Sequence, residues 1–501
     1  NAGSETAPSA TGFTLGSASL NPVLSATNTI SIVASGTVTL NAAVGASTPS
    51  SASPDGIFKI VGADYITING LTFNDGNTTN PASMEYGLAL FKAGVDDGSQ
   101  NNTISNCIFN MDRNNFATGT TPMVEGSVGI LIINSTPTAA TTVLTPTVAA
   151  GTNSFNKIYG NTTNGGNYGI VLSGFAASTP FTLGDTSNDI GGNSISTGNT
   201  IRNYGGGTAA SNPSAGIRAN NQWSINISYN NVDNNNGGGL AHPNTLRGIF
   251  AQAGVSANAT IRFNTVSLKG GGTTSQLTGI DVGIGSTAAS NTVTVENNTV
   301  QNSTYTTATS GTFRAIAVSA SPATLNVNSN TVTNNVIPGT GQYDCIIMSG
   351  TPNTYNCNFN TVNLNIKTGT GTFHGIYASG SSATMNVLFR GNTINNNQIQ
   401  AANGTLYCMR GTTSLYTVRE NNANNNKIIN TSSTSASSVF GYSNAGSPTS
   451  ESIFENDIYD LSIEGAGTST ASSITGINLN TSSSSVKNIN NNRIRNLQFL
   501  N

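Results

Sequence analysis

The chain has 501 residues, of which only 8% are charged, and a formal net charge of −3; an ordinary soluble domain carries roughly a quarter charged residues. It therefore has no basic face to neutralise nucleic-acid phosphates and no polybasic segment to hold it on an anionic bilayer. Nor is there an uninterrupted run of about 20 apolar residues to insert as a membrane helix.

Residues 1–55 alternate loosely at first. From Thr29 to Leu40 the phrase TISIVASGTVTL holds two strand-like runs broken at Ser35-Gly36, and Pro49 and Pro54 mark the polar stretch that follows. This segment reads as an N-terminal cap with the first incomplete coils, because the end of a stacked fold must cover both a core and a sheet edge. The chain opens on Asn1 without a charged-then-apolar leader, which suits a mature exported protein or a trimmed one.

The first full coil is Gly56 to Phe73, GIFKIVGADYITINGLTF, with period-two apolar runs and corners at Gly62 and Asn69-Gly70. Two phrases then recur. One is a small residue before an apolar pair, as in Gly129-Ile130, Gly169-Ile170, Gly216-Ile217, Gly279-Ile280, Ala315-Ile316 and Gly375-Ile376. The other sets an apolar residue two positions after an asparagine, at Asn264, Asn298, Asn330, Asn360 and Asn392. Its earlier copy at Asn231 slips by one, and looser copies stand at Asn422, Asn456 and Asn492.

The Asn phrases lie about 30 to 36 residues apart, and a fixed period of this size is the mark of a solenoid. Two phrases sharing one period mean two strands per coil, and the turn spacing leaves room for a third. The prediction is an all-β fold: a single right-handed parallel β-helix of about thirteen coils over residues 56–501, on the order of 60 Å long at ~4.8 Å per coil. Longer intervals place loop insertions near 135–151, 173–189 and 205–214. The repeated Asn is expected to be structural, taking the left-handed backbone at a corner and stacking its amide from coil to coil. Arg390 and Glu420 should pair on the outer face, and the offset of Arg419 predicts a bulge.

The four cysteines, Cys107, Cys345, Cys357 and Cys408, sit in apolar patterns without CxxC spacing. They read as buried thiols, with any pairing left open. His242 and His374 stand alone, with no metal-binding or nucleophile motif beside them. Acidic candidates are Asp96, Asp97 and Asp112 with Arg113, then Glu451, Glu455, Asp457, Asp460 and Glu464. Of the last group, Asp457, Asp460 and Glu464 could supply oxygen ligands to Ca²⁺, against the commoner solvated outer face. Asp185 or Asp189 with Asp233 or Asp281 could form a hydrolytic carboxyl pair, though nothing in the spacing selects one. Trp223, Tyr229, Tyr305, Tyr377 and Tyr416 are too scattered to define a sugar platform.

The repeated coils and the phrase DYITINGLTF resemble the right-handed parallel β-helix repeat proteins of the pectate-lyase-like superfamily. More narrowly, they resemble its Asn- and Thr-rich secreted members exported to the bacterial surface by the type IX pathway. The resemblance implies the fold over about Gly56 to Leu500, an extracellular location, and activities ranging from lyase to adhesin.

The residues themselves favour a non-catalytic structural or adhesive role, as a surface stalk, adhesin or filament subunit. No catalytic or metal centre is assigned, and no cofactor is expected beyond the Ca²⁺ already weighed. Expected partners are a second copy, stacking end to end through Leu497, Phe499 and Leu500, or surface glycans; neither nucleic acid nor membrane insertion is expected. The alternative is a polysaccharide lyase, glycoside hydrolase or glycan-binding module whose groove is walled by the insertions.

Overall fold

Short apolar–polar alternations repeated at a fixed interval give strands that bury one face and need a partner for each backbone edge. In the computed structural model that partner is the equivalent run one repeat away, in parallel and in register, as for Thr292–Glu296 with Thr324–Asn328 and then Thr354–Asn358. The structure describes all residues except 1, 10, 47–51, 80–81, 116–125, 207–210, 236–241, 288, 433–434, 466–470, 481–484 and 501. Two compact units are present, Asn1–Thr265 and Val266–Asn501. Each is an all-β parallel solenoid whose circuit crosses three sheets in turn, with about thirteen circuits in the chain. Helix is limited, among the described residues, to short 3-10 turns such as Ile195–Thr197.

We call the sheets I, II and III in the order in which one circuit meets them. In the first unit, sheet I includes Tyr86–Phe91, Val128–Ile133 and Tyr168–Ser173, paired in sequence. Residues 3–41 already occupy all three sheets: Gly3–Thr6 pairs with Val38–Asn41, Phe13–Leu15 with Phe58–Ile60, and Ile30–Val33 with Ile66–Asn69. In the second unit, sheet I runs from Leu277–Ile284 through Phe313–Val318, Tyr343–Met348 and Thr372–Ala378.

The Gly-Ile phrase lies in mid-strand on sheet I, where the backbone passes close under the apolar column of sheet III. A Cβ on Gly216 would lie 2.5 Å from Val232 Cγ1, and one on Gly441 2.6 Å from Ile458 Cγ2. One on Gly375 would come within 2.5 Å of the Cys408 carbonyl oxygen. Only small residues fit, which is why Ala315, Cys345 and Cys408 stand at the same point of their coils. All four cysteines are free and buried.

The amides form ladders. Asn330 donates from Nδ2 to Asn360 Oδ1 at 3.0 Å and to the Val295 carbonyl at 2.9 Å, and its backbone N–H also donates to Asn360 Oδ1 at 2.9 Å. The same exchange continues from Asn360 to Asn392, Asn421, Asn456 and Asn492. Asn298 donates to Asn330 in the same way. In the first unit the ladder runs Asn161, Asn199, Asn230 and Asn264. The members are thus Asn230 and Asn421, whereas the sequence reading chose Asn231 and Asn422. Those two open the strands Asn231–Asp233 and Asn422–Asn424 with their side chains on the outer face. Counted from Asn230 and Asn421, every apolar residue falls two positions on, so the apparent slip disappears. So does the bulge: Arg419 pairs with Arg390 and Val418 with Phe389. Arg390 and Glu420 do meet, at 2.9 Å.

A second correction concerns the corner itself. The left-handed residue precedes the ladder Asn: Tyr229 (φ 59°), Phe263 (55°), Ser329 (54°), Phe359 (57°) and Glu420 (58°). The corner sits between sheets II and III, where the turning backbone leaves its ladder partners, and the buried amide replaces them. The second unit has another amide column inside sheet III, Asn335, Asn365, Asn397 and Asn426. In the first unit Asn156 and Asn188 bond between sheets I and II, ending on Gln222.

Asn421 and Asn422 are adjacent yet differ in consequence. Asn421→Ala strands several buried groups, each costing about 1–3 kcal/mol, and is expected to destabilise the second unit by about 3 kcal/mol. Asn422→Ala is expected to cost about 0.5 kcal/mol or less, as an outer-face change. Denaturant midpoints of the two variants check the difference.

Candidate functional site

Between sheets III and I of the first unit, four carboxyls collect where the chain enters sheet I. Glu85 and Asp55 are both buried; Glu85 Oε2 accepts the Asp55 backbone N–H at 2.9 Å, and Asp55 Oδ2 accepts that of Ala46 at 2.7 Å. Burial, with Asp55 adding, pushes the Glu85 carboxyl up to about 9. Asp75 accepts from the Asn77 and Met84 backbone N–H groups, and burial raises it to about 6 despite those donors, with Asp112 adding. Asp112 accepts from Ser83 Oγ at 2.9 Å. A cavity of about 380 Å³ opens here, lined by Asp75, Asn110, Asp112, Arg113, Asn164 and Asn203.

The other acidic candidates are engaged one at a time. Asp96 accepts from the Thr147 backbone and hydroxyl, tying down an insertion, and Asp97 accepts from Asn21. Asp185 is fully buried on the Asn153 N–H; Asp189 takes the Tyr159 hydroxyl and the Asn226 amide; Asp233 caps its own turn at Asn235. Among the described residues no bond joins Asp185 or Asp189 to Asp233. In the second unit Asp281 lies on Leu277–Ile284. Glu451 points inward to Tyr442, Asn444 and Lys487. Glu455 and Asp460 occupy left-handed corners, Asp457 pairs with Arg493 and Arg495, and Glu464 pairs with Lys427. Asp457, Asp460 and Glu464 do not converge, and among the described residues no cluster of three His, Cys, Asp or Glu is placed to hold a metal ion.

The insertions lie down instead of walling a groove. Near 135–151, Ala140 enters the apolar cluster on the outer face of sheet I with Tyr86, Leu131 and Val171, and its N–H bonds to the Ala52 carbonyl. Within 173–189, Phe181 stacks on Trp223, which is itself buried and bonded to the Val255 carbonyl. The third insertion falls partly outside the described residues. Tyr229 stacks on Phe263, while Tyr305 and Tyr416 are buried. His242 is buried, and burial pushes it down to about 4.

The remaining histidine is in different company. On the outer face of sheet I in the second unit, one column reads Arg314, Asp344, His374, Tyr407 and Phe440 from coil to coil, and the next brings Tyr377 beside Arg410. His374 Nδ1 lies 2.8 Å from Asp344 Oδ1, and Arg410 Nη1 lies 2.9 Å from His374 Nε2. Asp344 is fully buried and also takes Gln342 Nε2 at 2.7 Å and the Arg314 guanidinium at 3.4 Å. Burial holds His374 below its ordinary value, against the Asp344 hydrogen bond, with Arg410 lowering it further. A neutral ring follows, donating from Nδ1 to Asp344 and accepting at Nε2 from Arg410. Its face stacks on Tyr377 at 4.4 Å and on Tyr407 at 5.3 Å, and Tyr407 stacks on Phe440 at 4.9 Å. Arg410 lies over both tyrosine rings, at 4.8 and 4.5 Å.

No single stretch of sequence reveals this cluster, because Asp344, His374, Tyr407 and Arg410 come from successive coils. The signal is the repeat itself: Asp344 and His374 are 30 residues apart, one coil.

No family model matches the chain, and no curated protein does. Among solved structures it is similar to the PL6 family alginate lyase AlyGC, at 9% identity over 98% of this chain and 96% of that one, with a TM-score of 0.16. At that score the likeness carries no argument about activity.

The buried carboxyls set a pH dependence. Glu85 keeps its proton in the fold to about 9, against 4.5 ordinarily, so its contribution is full below 4.5 and lost as pH rises to about 9. Asp75 acts likewise from 3.8 to about 6. The first unit is expected to melt at a lower temperature at pH 9 than at pH 6, and Glu85→Gln should flatten that slope in calorimetric scans.

Proposed function

We propose that the chain is a non-catalytic, extracellular structural and adhesive solenoid that contacts surface glycans through the Tyr377–Tyr407–Arg410 face. The observation that carries this reading is the engagement of both His374 ring nitrogens, by Asp344 and Arg410. Nothing in that arrangement leaves the ring free to take a proton. The faces of Tyr377 and Tyr407 are taken up within the stack, so a sugar is met through its oxygens, by the Arg410 guanidinium and the tyrosine hydroxyls. Export to the bacterial surface by the type IX route belongs to the same proposal. So does end-to-end stacking through Leu497, Phe499 and Leu500, of which Phe499 is 57% and Leu500 42% exposed.

A second reading, a polysaccharide lyase or hydrolase, draws on the first unit's cavity, where burial raises Asp75 to about 6 beside Asp112.

One experiment separates them: a panel of acidic and neutral polysaccharides assayed for retention and for chain cleavage. The adhesive reading expects retention that Tyr407→Ala and Arg410→Ala each abolish, with no new chain ends. Cleavage lost in Asp112→Asn would replace it with the enzymatic reading.

A further inference from the structure

We infer that the outer face of sheet III in the second unit binds ice. Thr299, Thr331, Thr361 and Thr393 stand in one register row, each the first residue of its strand. Two positions along the same strands runs a parallel row that includes Thr333, Asn363 and Asn395. All of these side chains are half-exposed. Rows one coil apart repeat at ~4.8 Å, and alternate residues of a strand at ~6.7 Å. The oxygen lattice of ice repeats on these same two scales.

The chemistry of the rows matches that spacing. Threonine carries a hydroxyl that can join a water lattice and a methyl that can sit in its voids, and its β-branch restricts it to few rotamers. Neither row contains a charged residue from Thr299 to Asn424, so no strongly hydrated ion disrupts ordered water there. The rows are also braced on both sides. The amide ladder through Asn330, Asn360 and Asn392 precedes each strand, and the one through Asn335, Asn365 and Asn397 follows it. Side-chain ladders of this kind keep many-stranded sheets flat, and a flat, stiff face is what a crystal plane requires.

Threonine is common in strands for its own propensity, so the rows need a comparison. The first unit supplies one for the second row, which there sets Arg202 opposite Asp233, while its first row also holds Thr162 and Thr200. The fold therefore tolerates charge in these rows, as the last coils of the second unit also show at Asp457, Arg493 and Arg495, and the uncharged stretch from Thr299 to Asn424 is not required by it.

The test uses the full chain in an ice-affinity partition, freezing slowly from a dilute solution, together with a recrystallisation assay. The wild type is expected to enter the ice fraction and to halt grain growth. Thr361→Lys and Thr331→Lys, each confirmed as folded by circular dichroism, should stay in the liquid, whereas Thr200→Lys in the first unit should behave as wild type. Wild-type protein excluded from ice like serum albumin would overturn the inference, as would undiminished partition of both Thr361→Lys and Thr331→Lys.

Discussion

A corner in a stack of coils turns the backbone out of its hydrogen-bond ladder, and a buried peptide group left there without a partner costs about 1–3 kcal/mol. From Asn161 onward the buried asparagine resolves this, taking up even the Cys107 N–H of the coil before it. Its Oδ1 accepts both the backbone and the side-chain N–H of the neighbouring Asn, and its Nδ2 also reaches a strand carbonyl, as Asn360 does toward Val327 at 2.8 Å. Because each amide oxygen takes both its donors from an identical residue in the adjoining coil, the ladder enforces register as well as closing the corner. The left-handed residue before it then becomes nearly indifferent to identity, which is how Phe359, Ser329 and Glu420 share one conformation.

The interior follows from this register. With equivalent positions stacked, the small residue of sheet I always faces the apolar column of sheet III, and the strands close on a narrow core that admits no Cβ at Gly216 or Gly441. Apart from the amide ladders and a few buried groups such as Glu451, polar and charged side chains are left to the outer faces, where stacking makes columns of chemistry instead of isolated groups. The Asp344–His374–Tyr407–Phe440 column and the threonine rows are two products of the same rule. In each, the fold supplies spacing and stiffness, and the local sequence chooses what is displayed.

The period, the three-stranded coil and the existence of an amide ladder were legible because each depends on local pattern repeated many times. The ladder's membership was less so: NNVD and NNAN each offer two adjacent asparagines, and only burial distinguishes Asn230 from Asn231 or Asn421 from Asn422. The second ladder through Asn335 and Asn365 was missed because its strands, such as Ile366–Lys367, are two residues long and leave no alternation to read. His374 looked solitary for a different reason. Its partners lie one coil away in space and about a full repeat away in sequence, where proximity along the chain carries no information. The insertions misled in the opposite sense, since loop composition says nothing about whether a segment stands up or lies on the sheet beneath it.

Hydrogen exchange at the ladder residues tests the account most directly. The backbone N–H groups of Asn330, Asn360 and Asn392 belong to corners, yet each donates to the Oδ1 of the next coil's asparagine. They are predicted to exchange as slowly as the N–H groups of the flanking strands and to lose that protection in Asn360→Ala. Exchange at the rate of ordinary exposed turns in the wild type would contradict the claim that these amides hold the coils together.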